Sequence, residues 1–441
     1  MARKRGISFF VSNYLLIFLW ILTGGSVLFI FQRNIILSLL FVYTILLIVF
    51  GRGRMKKVHI GGFIFAMLIG FGSILFDYNF SIQPQDPIKY VYDALEFFVV
   101  GFVCIYLFSV FTYEGFQLML FKVLRFIRWH ALVNAFLISF LPKLLSLTIV
   151  YTFTNYTANT FMMMFFSEPA QYSFNIAGLS LTRNQGLFWE PGVLQFYLNL
   201  LLYFQLYVYK SKNMPILLTV GAIISTYSSS AYLIMLVISS AALIRSIKRQ
   251  PGIYFPLSIV ILGLFIPFLI GNIENKFQGA QQTSSVLRML DFVQQMEVIK
   301  GNALTGVGLD DEAYKTIRAK YQVTGYFTDA QENDNSVDRA GTNSITFLVA
   351  AVGVPIGFLW LFAYFEQPFF RKRRFLISFL LFGTAFVEPV LLKPFFVTFI
   401  VSGFMLIYYK LRHPGGKSIW VQSKVILKLP SAPEVAAENP V

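Results

Sequence analysis

The residues of this 441-residue sequence best suited to chemistry are four arginines, Arg183, Arg288, Arg318 and Arg339, and a few carboxylates. Planar guanidinium groups bind phosphate oxygens bidentately. Two or three of them drawn from different segments would neutralise a lipid diphosphate as it departs from a substrate. The plain alternative for each is pairing with a neighbouring carboxylate. Glu190 stands directly before Pro191 at the mouth of an apolar segment. There it can act as a base toward an acceptor hydroxyl, provided partly dry surroundings raise its pKa. Equally, it can serve only the electrostatics of a helix N-terminus with proline in the first turn. Glu388 and Lys393 sit near the outer ends of the last two apolar segments. Ionisable groups in such places line a cavity or pair with each other. Gly301, Gly306 and Gly308 follow no strand, so their spacing indicates a tight turn rather than a nucleotide site. The sequence has no metal-spaced Cys/His cluster, no P-loop and no Gly-x-Ser-x-Gly elbow. His59, His130 and His413 are all assigned to the face opposite the arginines, which leaves no imidazole base beside them.

The elements that must position these residues are membrane helices. Hydrophobic residues make up 56% of the chain, aromatic residues 18% and charged residues 13%, and the mean hydropathy is +0.66. No soluble domain has that balance. A bilayer core needs about 20 apolar residues per helix, and apolar runs of that order recur at 9–31, 34–50, 58–76, 92–111, 129–150, 191–209, 215–227, 229–245, 253–270, 344–365, 375–391 and 395–410. The expected fold is an all-α polytopic membrane protein of about twelve transmembrane helices. Helices 1–9 occupy 1–270 with an outer loop at 152–190, a large extracytoplasmic loop fills 271–343, helices 10–12 occupy 344–410, and 411–441 form a cytoplasmic tail whose end, from Leu429, lacks periodicity and is expected to be disordered. The stretch 215–245 is too long for one span, and basic residues flank both its ends, so it is read as a hairpin turning at Tyr227–Ser230.

The formal charge of +15 follows the same pattern. Basic groups near the N-terminus, at Arg52–Lys57, at Lys122–Arg128, beside the hairpin, at Arg371–Arg374 and in the tail all fall on one face. By the positive-inside bias that face is the cytoplasm of a bacterial inner membrane, with both termini inside and the chemistry on the extracytoplasmic side. The charge then reflects topology and contact with anionic lipid headgroups, and nucleic acid is excluded as a partner. Cys104 is the lone cysteine and lies within a span, so no disulfide framework holds the outer loop. The basic start and first apolar run are read as an uncleaved first helix.

Three segments between spans stand out. Thr112–Trp129 carries Lys122, Arg125 and Arg128 at helical spacing among Leu and Phe and is expected to lie along the cytoplasmic interface. The 152–190 loop is aromatic and Asn-rich. The 73 residues of 271–343 carry ten carboxylates and seven basic residues. Within them, Ser284–Lys300 places Val286, Met289, Leu290, Val293 and Met296 on one face, with Ser284 to cap and Gly301 to end an amphipathic helix lying over the spans.

Four short motifs resemble the O-antigen polymerase and ligase family. Arg288 followed by Gly301-Asn-Ala-Leu-Thr-Gly-Val-Gly-Leu309 looks like its outer-loop signature. Thr342-Asn343-Ser344-Ile345, leading to Val352-Gly353-Val354-Pro-Ile-Gly357, is similar to its His-Asn-x-x-Leu approach to the next span. Thr226-Tyr-Ser-Ser-Ser230 loosely matches its Thr-x-Ser-Arg turn, and Arg183–Pro191 resembles the Arg-Asn-x-Gly-x-Phe-x-Glu-Pro stretch of polysaccharide polymerases. The resemblance implies the architecture of polyprenyl-donor (GT-C type) membrane glycosyltransferases and metal-independent transfer of a glycan from undecaprenyl diphosphate, without cofactor. It matches Arg183, Arg288 and Arg339 to positions that hold the diphosphate. Together with the residue chemistry above, the candidate catalytic residues are Glu190, Arg288 and Arg339, and the candidate substrate contacts are Arg183, Asn343, Gly306, Gly308, Arg318, Glu388 and Lys393. Its partners are the undecaprenyl-diphosphate-linked oligosaccharide, membrane lipids, a chain-length regulator and a flippase. Two departures stand out. Thr342 replaces the histidine of ligases, which weakens a ligase reading. Ser229-Ser230 stand where the family has its hairpin arginine. A lipid-linked-glycan flippase or transporter is the expected alternative from another class, against which the large outer loop and the lack of a duplicated pattern weigh.

Overall fold

The computed structural model describes residues 13–50, 55–82, 84–151, 156–167, 174–176, 179–249, 282–321, 343–415 and 419–420. The expected span at 253–270, Arg339, Thr342 and the end of the tail lie outside the described residues. Helices dominate. In chain order they are α1 (Asn13–Leu22), α2 (Val27–Phe31), α3 (Arg33–Phe50), α4 (Lys57–Phe80), α5 (Pro87–Val110), α6 (Tyr113–Phe140), α7 (Pro191–Tyr203), α8 (Asn213–Ile224), α9 (Ser229–Arg249), α10 (Gln282–Gly301), α11 (Asp311–Arg318), α12 (Ser344–Glu366), α13 (Arg374–Val387) and α14 (Pro394–Arg412). Among the described residues six, α3, α4, α5, α6, α12 and α14, are long and apolar enough to cross a membrane. α1, α8, α9 and α13 are shorter apolar helices.

Large apolar side chains stay exposed along the outside of this bundle. On α3 they are Ile35, Leu39, Val42, Leu46 and Val49, one helical stripe. In water such a stripe would be a liability; in a bilayer it is the solvent-facing side. Two helix groups make up the interior. α14 packs against α4, α5 and α12, and α7 packs against α6, α8, α9 and α13. Where α12 and α14 cross, Gly403 lets the backbones touch at Ala363, the small-residue packing that replaces the hydrophobic effect in lipid.

Four expectations need correction. The run 129–150 is helical only to Phe140: α6 is one helix of 28 residues from Tyr113 to Phe140, so Thr112–Trp129 is its first part and not a separate surface helix. Arg128 is buried there and donates to the Pro215 carbonyl at 3.1 Å. Leu147–Tyr151 then forms strand β1, followed by β2 (Tyr156–Phe161) and β3 (Phe165–Ser167) in an antiparallel sheet of order β1-β2-β3, with Ile149 opposite Ala158 and Thr160 opposite Phe166. β4 (Phe174–Ile176) and β5 (Leu179–Leu181) make a second hairpin, so the chain is not wholly α. The first run, 9–31, breaks after Leu22, where Gly25 takes φ +107° and Ser26 bridges Phe188. Finally, His130 and the 152–190 loop, expected on opposite faces, lie together: the imidazole Nε2 is 2.9 Å from the Met164 carbonyl and the ring stacks on Phe165. α8 and α9 are joined at Ser225–Ser228, two residues before the turn expected at Tyr227–Ser230.

Candidate functional site

Three helix ends meet at the end of the bundle away from the basic residues of Arg371–Arg374. α13 stops at Glu388, whose amide still donates to Thr384 at 2.8 Å while its backbone turns extended. α12 starts at Asn343, a side-chain N-cap that accepts from the amides of Ile345 and Thr346 at 3.0 and 3.2 Å. The Ser344 hydroxyl donates to the Glu388 carbonyl and accepts from the Val390 amide at 2.9 Å, tying the two ends together. α7 starts at Glu190, with Pro191 at the first helical position and no side-chain cap bond from the glutamate. A Cβ at Gly192 would collide with the Glu388 carboxylate, so that carboxylate lies against the first turn of α7.

Arg288, on α10, reaches this junction. Its Nη2 lies 3.9 Å from Glu388 Oε1, with the arginine side chain 35% exposed and the glutamate 3%. Glu388 Oε2 is buried with no hydrogen-bond partner among the described residues. The structure therefore gathers Arg288, Asn343 and Glu388, or their immediate neighbours, beside the start of α7 at Glu190, while Lys393 lies five residues on from Glu388 at the N-cap of α14.

Around Lys393 lies a charged group that the sequence reading missed. Lys89, Asp93 and Glu96 share one face of α5; Lys89 Nζ holds Asp93 at 2.7 Å, and Arg33 Nε, at the start of α3, holds Glu96 at 2.7 Å. Burial, with the like charge of Arg33 added, pushes the Lys393 ammonium below the usual lysine range, opposed by Glu96 and Asp311. The i, i+4, i+7 spacing of 89, 93 and 96 inside an apolar run was the signal that could have found this cluster.

The remaining residues are placed elsewhere. Arg318 is buried and bound to Asp291, with Nε 2.7 Å from Gln294 Oε1. Its guanidinium is committed to the α10–α11 interface, which corrects its assignment as a substrate contact. Arg183 sits by the α8–α9 hairpin, within electrostatic range of Tyr232. Gly306 and Gly308, at φ +73° and +106°, bring the 302–309 turn onto a break in α12 at Gly353. There the amides of Val307 and Gly308 donate to the carbonyls of Ala350 and Ala351 at 3.0 and 2.9 Å, and Val354 donates to Ala303 at 2.7 Å. These glycines serve backbone contact within the fold. Leu309 completes the dock by donating to Asp77 Oδ2 at 3.1 Å and Tyr90 Oη at 2.9 Å.

The Arg183–Pro191 stretch is a rigid bracket. Asn184 donates to the Ala131 carbonyl at 2.8 Å and Ser225 Oγ at 2.9 Å and accepts from Asn134, Phe188 stacks on Tyr197 with centroids 4.4 Å apart, and Trp189 donates to Gly25. No protein-family model matches this sequence, and no curated protein is significantly similar to it. Chemically, the junction offers a guanidinium that can engage an anion and a buried carboxylate with one oxygen left for a donor. Among the described residues, no group of three or more His, Cys, Asp or Glu side chains is placed to hold a metal ion.

Proposed function

We propose that this protein is a membrane polysaccharide polymerase of the O-antigen polymerase and ligase type, with about twelve spans in a bacterial inner membrane, both termini cytoplasmic and its chemistry outside. It would transfer a growing glycan from undecaprenyl diphosphate to a hydroxyl of a lipid-linked repeat unit. The observation that carries this reading is the meeting of Arg288 with the buried Glu388 where α7 and α12 begin. In the reaction, the acceptor hydroxyl attacks the anomeric carbon, the bond from that carbon to the diphosphate oxygen breaks, and the diphosphate leaves with the electron pair. Arg288, with Arg183 and Arg339 brought from other segments, would balance its charge. The hydroxyl proton passes to a carboxylate, Glu190 by its place at the mouth of α7, while Glu388 Oε2 accepts a hydrogen bond from the acceptor sugar and Lys393 adds a cation.

In a strain lacking the gene, surface glycans should shorten to single repeats, and reconstituted protein should lengthen a polyprenyl-diphosphate-linked oligosaccharide. Unchanged polymer length in the strain would overturn the proposal. Accumulation of free lipid-linked polymer would instead make the protein the ligase. A flippase is the second reading, favoured by the ion pairs that α3 and α5 hold within apolar helices. Lengthening without lipid flipping in vesicles excludes it.

A further inference from the structure

α9 and α13 enclose a cleft that the proposed chemistry does not use, at the end of the bundle that carries Arg371–Arg374. The two helices touch where Gly383 faces the Ile234 side chain. About two turns further toward the basic end they border a cavity of about 260 Å³, lined by Val237, Ser240, Ala241, Arg373, Phe375 and Leu376. Tyr207, just after α7, ties the two walls together: its hydroxyl donates to the Ile238 carbonyl at 2.5 Å, and its ring lies 5.7 Å from the Arg373 guanidinium. The Tyr203 hydroxyl donates to the Lys372 carbonyl beside it. Arg373 takes the left-handed conformation, φ +50° and ψ +49°, which is unfavourable for a residue with a Cβ. Such outliers persist only where their surroundings over-determine them, and they cluster at ligand sites.

The charge of the walls is one-sided. From Pro191 to Ile273 the sequence has five basic residues and no Asp or Glu, and from Gln367 to Val387 it has four basic residues and again no acid. Glu366, the nearest acid in sequence to Arg373, is shared by Arg374 at 3.8 Å and Lys410 at 2.7 Å. Arg373 pairs with no carboxylate among the described residues, so its planar fork is open to a phosphate. Polarity also falls in one direction along the cleft. α13 carries no charge after Arg374, and α9 carries none before Arg245. Phe375, at the rim, is 76% exposed. A soluble phosphate would satisfy the guanidinium and leave these apolar walls bare, and an uncharged lipid would do the reverse. An anionic head with an acyl chain answers both.

We propose that the α9–α13 cleft binds one anionic phospholipid, with its phosphate on Arg373 and an acyl chain along Val237, Ala241 and Leu376. The inference stands whatever reaction the protein performs.

The test uses the full chain in phosphatidylcholine vesicles containing a trace of phosphatidylglycerol with a diazirine in its acyl chain. Illumination should attach that lipid to peptides holding residues 237–241 or 373–376, and unlabelled phosphatidylglycerol should displace it where glycerol phosphate does not. Arg373→Gln should lower capture about fivefold, the effect of one cation beside an anionic headgroup. Lys57→Gln, an exposed cation at the start of α4, should leave capture unchanged. Ser240→Trp fills the cleft without altering charge and should abolish capture. Labelling spread evenly over the apolar helices, or capture unchanged in both Arg373→Gln and Ser240→Trp, would overturn the proposal. So would displacement by glycerol phosphate, which would make this a site for a soluble anion.

Discussion

Glu388 has its backbone carbonyl held by the Ser344 hydroxyl, one carboxylate oxygen facing Arg288 and the other buried without a partner among the described residues. A buried polar oxygen left in this state is unfavourable unless something completes it. If that group is the acceptor sugar, Glu388→Gln should raise KM for the acceptor while leaving the thermal midpoint nearly unchanged, since Gln keeps the shape. Arg288→Lys keeps the charge but removes the fork. Loss of one preorganised donor to a developing anion lowers kcat by about 10²–10³, so the initial rate of glycan lengthening should fall by that order, and full activity would remove Arg288 from the diphosphate site. Lys393 behaves differently. Its pKa lies below the unfolded lysine value, so the unfolded state binds more protons and stability should rise as pH climbs from the folded pKa toward the usual lysine range. Lys393→Met should therefore be more stable than the parent near neutral pH, with the difference shrinking as pH rises in thermal melts, and should transfer glycan more slowly if the ammonium contacts substrate.

At the scale of elements, α10 shows what a periodic pattern can and cannot convey. The sequence places a helix at Ser284–Lys300, and the helix runs from Gln282 to Gly301. The face it predicts holds only in part, however. Leu290 is buried but Met289 and Met296 are exposed, whereas Asp291, Gln294 and Gln295 are buried because they bind Arg318 and Thr346. A hydrophobic count cannot anticipate a polar face whose partners lie 24 to 51 residues away. The run 129–150 misled for a related reason. A mainly apolar run in a membrane protein fits a helix or a strand equally well, and periodicity alone does not separate them. The glycines of 301–308 were legible as a turn, but the break in α12 that they fill was not, since it depends on Gly353 at φ +77° meeting that turn across the fold. Asp291→Ala removes the acid facing the buried Arg318 and should destabilise the protein by about 3–5 kcal/mol. A thermal melt in detergent reads this directly, and an unchanged midpoint would show the pair to be dispensable.

At the scale of the whole molecule, the distribution of charge is the feature read most directly from sequence. Lys56 and Lys57 at the start of α4, Arg371–Arg374 before α13, and Lys410 and Arg412 at the end of α14 belong to one end of the bundle, where Trp420 packs on Phe108 and Phe116, the Trp420 indole donates to Pro368, and Lys410 pairs with Glu366. Glu388, Arg288, Asn343 and the start of α7 belong to the other. Under the proposed function the basic end faces the cytoplasm and the Arg288–Glu388 junction faces outward, where lipid-linked glycans would meet it. Alkaline phosphatase fused after Glu312 should then be active, because the enzyme folds only outside the cytoplasm, and the same reporter fused after Arg412 should be inactive. The reverse pattern would put the arginines on the cytoplasmic side and remove the extracytoplasmic polymerase, while leaving the packing of every helix as it is.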